Sequence, residues 1–492
     1  MWQPLRLGFY YDDWPEWVYG STQGAPFSIT RLLFLHQDDP TRPGLLPARF
    51  FCSSVFGNDT LLWHLALLLV NCAIALSIVA VGRLLTRSRT PMARTITACA
   101  GLCWLLLPWN GAARFWPTLL PHTLMVAVEG LLCVLLMRGW EKNRSRAIAA
   151  GILYLWMCVS YEAFYLQWIP LILIGVVLWR AKRVTARPVI ASAIALLAAQ
   201  AVAAAWNMYT RQAGYYRTKL VIVNWGQVPW NLSNLAPAVI RSVYEIAAAA
   251  VVFGGVVTVI WLAVCVRSLW RASDRPAGYT SVLLAGIPVL GGIISIVVFS
   301  LAGRVVTGTG VENRSLLIFN FWIVIAATVL TVFAMERLRR LPKLVFVFGL
   351  AGLGLCLAVG QVLRASDWVT AWNRQQKLLA EAPIADLRRT EPDACIVIVN
   401  PRGVNDAPIF AAPWDIKYAI LWTYPFLQSR RFIVYNPWEG PMTWNGKELG
   451  YPNQPALETT APVYFWRPSD QRLWRPSGPV VIHQDLSVEP AH

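Results

Sequence analysis

Apolar residues in this chain fall in long, nearly unbroken runs. A helix needs about 20 such residues to cross the hydrocarbon core of a bilayer. Ten runs are candidates: 61–82, 95–109, 118–137, 147–162, 164–179, 189–206, 243–266, 280–301, 316–335 and 343–363. Two are short. The 95–109 run meets Pro108, and 147–162 passes almost directly into 164–179, which fits tilted spans or spans extended by flanking aromatics.

The two ends of the chain read differently. Residues 1–60 contain no span. Residues 364–492 predict an amphipathic helix over 368–389, carrying Trp368, Trp372, Leu378, Leu379, Ala385 and Leu387. The β-branched run Ala394–Val399 predicts a buried strand, with further strands at 431–435 and 479–483 and a helix at 415–427. The expected architecture is a polytopic α-helical membrane protein in three parts: a first outer loop (1–60), a membrane domain (61–363) and a small α/β domain (364–492).

Composition agrees with the pattern. Hydrophobic residues make up 56% of the 492 and charged residues 14%, against about 25% charged in soluble domains. The net charge of +17 at first invites a nucleic-acid reading, and the loops remove it. Loops 83–94, 138–146, 180–187, 267–275 and 336–343 hold 19 Lys and Arg; the alternating loops 109–117, 163, 207–242 and 302–315 hold 7. Cytoplasmic loops carry the Lys/Arg excess, so both ends of the chain are expected outside a cytoplasmic membrane, and no nucleic-acid partner is expected. Residues 1–60, with six carboxylates against four Arg, would then have to cross without a signal peptide. This predicts a further span upstream of Met1.

Several chemistries find no motif. There is no P-loop, no G-x-G-x-x-G and no H-E-x-x-H. Seven of the nine Cys lie in or beside spans, leaving Cys52 and Cys395 as a conceivable outer pair. The candidate chemistry lies in the first segment, Phe9-Tyr10-Tyr11-Asp12-Asp13-Trp14-Pro15-Glu16-Trp17. Adjacent carboxylates repel, and such a pair serves as a general base or as ligands for a hard divalent cation, Mg2+ or Mn2+. The plain alternative is a solvated turn capping a helix. Tyr11 and Trp14 offer faces for a sugar ring.

At the span edges, Glu162 is either functional or an interfacial carboxylate paired with an outer-loop Arg. Arg114, Arg211, Arg217, Arg304 and Arg314 lie in the outer loops. Each reads alone as a solvated or headgroup-facing cation. Together they fit a phosphate-linked lipid, because planar Arg donors suit phosphate.

Tyr11-Asp12-Asp13-Trp14, then Arg42-Pro43, then Trp63-His64-Leu65 at the start of the next span resemble the GT-C class of integral-membrane glycosyltransferases. The resemblance covers the membrane part loosely, and the absent first span departs from it. It implies a sugar donor linked to polyprenyl phosphate and a glycan, lipid or protein acceptor at the outer face of the bilayer. It implies that Asp12 or Asp13 is the catalytic base, the other positioning the acceptor or binding a divalent ion, with Arg42 and the outer Arg residues near substrate. Three rival readings remain. A transporter or flippase predicts inverted repeats and interrupted helices. An O-antigen-type polymerase or ligase predicts a large middle outer loop. A non-catalytic envelope scaffold predicts that Asp12 and Asp13 are dispensable.

Overall fold

The computed structural model describes residues 6–10, 13–14, 24–38, 42–87, 90–107, 110–142, 146–213, 225–244, 276–302, 305–307, 311–336 and 340–399, with scattered positions between 256 and 267. Beyond 399 it describes the chain to 490, except 400–403, 405–406, 408, 411–412, 428, 436–439, 452–455, 469–470, 484 and 486.

The helices run in chain order α1 (Ile29–Asp38), α2 (Leu46–Phe56), α3 (Thr60–Thr86), α4 (Pro91–Leu106), α5 (Ala112–Phe115), α6 (Leu120–Glu141), α7 (Ala147–Ser160), α8 (Trp168–Arg180), α9 (Ala186–Ala213), α10 (Gln227–Tyr244), α11 (Pro276–Leu301), α12 (Leu317–Met335), α13 (Arg340–Ala380), α14 (Ile384–Arg389) and α15 (Pro413–Thr423). Local chemistry sets several ends. Asp59 caps α3, accepting from the Leu61 and Leu62 amides at 2.9 and 3.2 Å, and Arg87 closes it in the left-handed conformation. Thr90 caps α4 with Pro91 in its first turn.

Among the described residues, seven helical segments are long and apolar enough to cross a membrane: Thr60–Thr86, Pro117–Glu141, Glu162–Arg180, Ala186–Thr210, Thr280–Leu301, Arg314–Met335 and Gly349–Ala380. Pro91–Leu106 and Ala147–Ser160 are apolar but shorter, at the two runs whose length was already marginal. The count is therefore below the ten expected from hydropathy, and the 243–266 run lies largely outside the described residues. Side chains that point outward agree with a lipid environment: Leu69, Leu76, Ile152, Ile194 and Leu355 are exposed, while Trp63, Trp104 and Trp322 are sealed inside. Large exposed apolar surface is rare on soluble monomers. The chain is a multi-pass membrane protein.

Among the described residues the C-terminal region holds nine short strands: β1 (Cys395–Val399), β2 (Arg431–Tyr435), β3 (Met442–Trp444), β4 (Glu448–Gly450), β5 (Leu457–Glu458), β6 (Val463–Arg467), β7 (Arg472–Trp474), β8 (Val480–Ile482) and β9 (Val488–Pro490). They form a four-stranded sheet in the order β2-β1-β6-β7 and a five-stranded sheet in the order β5-β4-β3-β8-β9. Central β1 pairs in parallel with β2 and β6 and is buried along its whole length, as its continuous apolar run requires. Helix α15 is the crossover between β1 and β2.

One expected boundary is absent. The sequence reading ends a span at 363 and begins a separate helix at 368, whereas α13 is continuous through both for 41 residues. Residues 364–367 contain no Gly or Pro, and Arg364 pairs with Asp367 one turn on at 3.8 Å. Hydropathy falls there because the helix becomes polar; the helix itself continues.

The upper part of α13 gives the C-terminal domain and the first segment a common core. Tyr10, Trp14, Phe115, Trp116, Trp368, Phe410, Ile416 and Ile420 belong to one buried cluster. The first segment therefore lies between the end of the helical bundle and the C-terminal domain.

Candidate functional site

The acidic segment is held at three points. His64, in the first turns of α3, places Nε2 3.0 Å from the Gly8 carbonyl, so that nitrogen carries the proton and donates. Tyr10 donates its hydroxyl to the Trp368 carbonyl at 2.8 Å. Trp116 donates its indole N–H to the Tyr10 carbonyl at 3.1 Å. Gly8 faces the Trp372 ring so closely that a Cβ would fall inside it, at 1.8 Å. His64 at the start of α3 thus helps anchor the segment that carries the carboxylates.

Asp13 is fully buried. Its Oδ2 accepts from the Tyr10 amide at 2.7 Å. Its Oδ1 accepts from the Thr118 amide at 2.7 Å and the Thr118 hydroxyl at 2.6 Å. Thr118 opens the 3-10 turn Pro117–Leu119 that leads into α6, so Asp13 acts as a cap supplied from 105 residues away. These contacts make Asp13 a structural carboxylate. Asp12 and Tyr11 lie outside the described residues.

Trp14 is not a stacking platform. It is 3% exposed, it lies in stacked contact with Trp372 at 6.0 Å, and its indole N–H donates to Gln375 Oε1 at 3.2 Å. Burying this large ring fastens the segment to α13 and the C-terminal domain. Arg114 likewise serves structure. Its guanidinium donates to the Leu107 carbonyl at 2.8 Å, to Gln361 Oε1 at 2.6 Å and to the Trp104 carbonyl. It ties the end of α4 to α13.

Glu162 and Arg42 meet. Arg42 Nε and Nη2 each lie 3.1 Å from Glu162 Oε2, and the Arg42 guanidinium sits over the Tyr161 ring at 5.3 Å. The turn Pro43–Leu45 makes this possible. Trp156 donates to the Gly44 carbonyl at 2.9 Å, and a Cβ on Gly44 would lie 2.3 Å from Ser160 Oγ. Only glycine lets the turn approach the end of α7 this closely. Glu162 is thus an ion-paired carboxylate, its partner Arg42 coming from the loop before α2.

Around this pair the cations converge. The His122 ring packs edge-on against Tyr161, with centroids 4.6 Å apart. Arg42, Arg49 and Arg314 are all close enough for their charges to act on that ring. Arg314, in the turn Val311–Leu316, stacks over Trp116 at 5.5 Å. Three cations from three separate segments thus act on His122 in the first turn of α6, four residues from the Thr118 that binds Asp13. Arg211 (its side chain), Arg217 and Arg304 lie outside the described residues.

Two members of this cluster escaped the sequence reading as site residues. Arg49 is 5% exposed and is the only charged residue of α2, which is the signal that would have found it. His122 is 5% exposed. A third residue, Glu129, lies deeper. Seven positions after His122, it falls on the same helical face, and its Oε1 accepts from the Trp322 indole at 3.0 Å. Gln167 Oε1 shares that N–H at 2.9 Å. Among the described residues Glu129 Oε2 has no hydrogen-bond partner.

An apolar cavity of about 380 Å3 is lined by Leu107, Leu232, Leu235, Ala236, Phe319, Asn320, Ile323 and Val324. Its α12 residues begin fewer than two turns after Arg314. Helix α10 is fixed there by Asn231, which donates to Ser300 Oγ at 2.9 Å and accepts from the Val306 amide at 3.1 Å.

No three His, Cys, Asp or Glu side chains group as a metal site among the described residues, and both Asp13 oxygens are engaged by N–H and O–H donors. Cys52 and Cys395 are both buried free thiols and form no disulfide. No family model matches this chain, and no curated protein does.

Proposed function

We propose that the protein is a membrane glycosyltransferase that moves a sugar from a polyprenyl-phosphate carrier to a hydroxyl of a glycan, lipid or protein acceptor. The observation that carries this reading is that Arg42, Arg49 and Arg314 all lie close enough to act on His122 in the first turn of α6, with an apolar cavity lined by the helix that follows Arg314. A phosphate at membrane depth needs cations with planar donors, and its lipid tail needs an apolar recess. Both requirements meet at this end of the bundle.

In this reading the acceptor hydroxyl attacks the anomeric carbon. The bond from that carbon to the phosphate oxygen breaks, and the lipid phosphate leaves with the electron pair. The hydroxyl proton passes to Asp12, assigned as the base because Asp13 is committed to Tyr10 and Thr118. Arg49 and Arg314 stabilise the charge developing on the phosphate. Arg42 is held by Glu162. No step is assigned to a metal.

The test is transfer from a polyprenyl-phosphate-linked sugar by the purified full chain in lipid nanodiscs. Asp12→Asn is expected to lower the rate about 100-fold or more, and Arg314→Gln roughly 100-fold. Full activity in Asp12→Asn would remove the base assignment. A wild-type chain that consumes no polyprenyl-linked sugar would remove the enzyme reading.

A further inference from the structure

At the opposite end of α3, about 40 Å away by its 27 residues, lies a second cationic site. Loops 83–94, 138–146 and 180–187 hold twelve Lys and Arg and a single carboxylate, Glu141. Arg87 takes that carboxylate: its Nε and Nη2 reach Glu141 Oε1 at 3.1 and 2.7 Å. Arg183 is half-buried beside them and close enough to feel both charges. Its guanidinium forms no ion pair with the carboxylate. Its Nη1 is sealed from solvent and has no acceptor among the described residues. A buried guanidinium N–H without an acceptor implies a missing partner, such as an ion. Burial first, and then the Arg87 charge, disfavour the protonated form of Arg183, while Glu141 opposes them. A second anion would remove that conflict. On α8, Arg180 lies over Trp179 at 5.2 Å, and Trp179 is exposed, the amphipathic arrangement found where a helix leaves the bilayer.

We propose that Arg183 and Arg87 form a binding site for a phosphate anion, supplied by the headgroup of an anionic phospholipid of the surrounding membrane. Planar guanidinium groups suit phosphate oxygens. Basic clefts between helices on the Lys/Arg-rich face are the places where acidic headgroups bind. The site is independent of the proposed sugar transfer, since it lies at the other end of the bundle.

The test uses the full chain in phosphatidylcholine nanodiscs, with and without phosphatidylglycerol, and in phosphatidylcholine with added inorganic phosphate. The readouts are thermal stability and the phosphatidylglycerol molecules retained in native mass spectrometry. Arg183→Gln is expected to lose one retained lipid and to need about tenfold more phosphatidylglycerol for the same stabilisation. Lys182→Gln, which removes an exposed charge of the same loop, is expected to behave as wild type, and Arg183→Lys to recover only part of the effect. Stabilisation by inorganic phosphate alone, lost in Arg183→Gln, would keep the phosphate site and make its source the free ion. Equal behaviour of Arg183→Gln and Lys182→Gln, or no response to either anion, would overturn the proposal.

Discussion

The sharpest consequence of the structure concerns Asp13. Its carboxylate is fully buried and accepts three short hydrogen bonds, from the Tyr10 amide and from the Thr118 amide and hydroxyl. Asparagine keeps the volume and replaces one oxygen by an NH2 group. With the amide oxygen at the Oδ1 position, both Thr118 bonds survive and the NH2 faces the Tyr10 N–H, donor against donor. With the amide flipped, the Thr118 amide and hydroxyl meet the NH2 instead. Either way a buried donor loses its acceptor, which costs about 1–3 kcal/mol. The first orientation is the better one, so Asp13→Asn should sit in that range. Asp13→Ala, which removes all three acceptor contacts, should cost roughly 3–5 kcal/mol. Thermal unfolding of the purified chain, followed by the Trp fluorescence of the Trp14–Trp372 seam, measures the loss. Thr118→Val removes only the hydroxyl bond, worth about 1 kcal/mol. It should combine non-additively with Asp13→Ala, because the hydroxyl then has no carboxylate to lose. If Asp13→Asn left thermal stability untouched while sugar transfer vanished, the structural assignment would be wrong and Asp13 would return as the base.

Gly44→Ala should destabilise by about 1–3 kcal/mol, since its Cβ would lie 2.3 Å from Ser160 Oγ and 3.0 Å from the Trp156 carbonyl; unchanged thermal unfolding would contradict the tight turn. Glu162→Gln should cost no more than about 1 kcal/mol, because the pair with Arg42 is partly solvated; a larger loss in the same unfolding assay would mean a deeper role. Burial pushes the Cys52 thiol up to about 12 and the Cys395 thiol up to about 11. Neither should react with a maleimide near pH 8 until the chain is denatured, and rapid labelling of the native protein would refute this. The Tyr464 hydroxyl, donating to Glu391 Oε2 at 2.7 Å, holds that carboxyl below the usual range. Its stabilising contribution is present above the ordinary value of about 4.3 and lost as pH falls through the lowered one. Tyr464→Phe should therefore flatten the acid limb of the stability curve, and an identical limb would count against the bond.

How much of this was legible in the sequence depends on the distance over which each side chain finds its partner. The α3 span, the strands at 395–399 and 431–435 and the crossover helix were legible because their signals are local: an apolar run or a β-branched run. The two- and three-residue strands β4, β5 and β7 are too short to show any period. Hydropathy marks where a helix leaves lipid and not where it ends, so continuous α13 read as two elements. Glu129 was overlooked for a related reason, since one carboxylate scarcely lowers the average of a long apolar window.

The acidic pair makes the same point about chemistry. Tyr, Trp and adjacent carboxylates are the residue types from which a sugar site is built, and they are equally the types that fasten a segment to a helix end. For Asp13 and Trp14 the partners are Thr118, Trp372 and Gln375, more than a hundred residues away, so spacing along the chain carries no trace of the choice. The structure moves the centre of interest from the carboxylates to the cations. Arg42, Arg49 and Arg314 come from three segments whose proximity only the fold creates, and Arg49 is buried in an otherwise uncharged helix. Within this cluster Arg42 holds Glu162 at 3.1 Å. The charges of all three act on His122, and their planar donors are of the kind that suits phosphate, which links this end of the bundle to the proposed lipid-phosphate substrate.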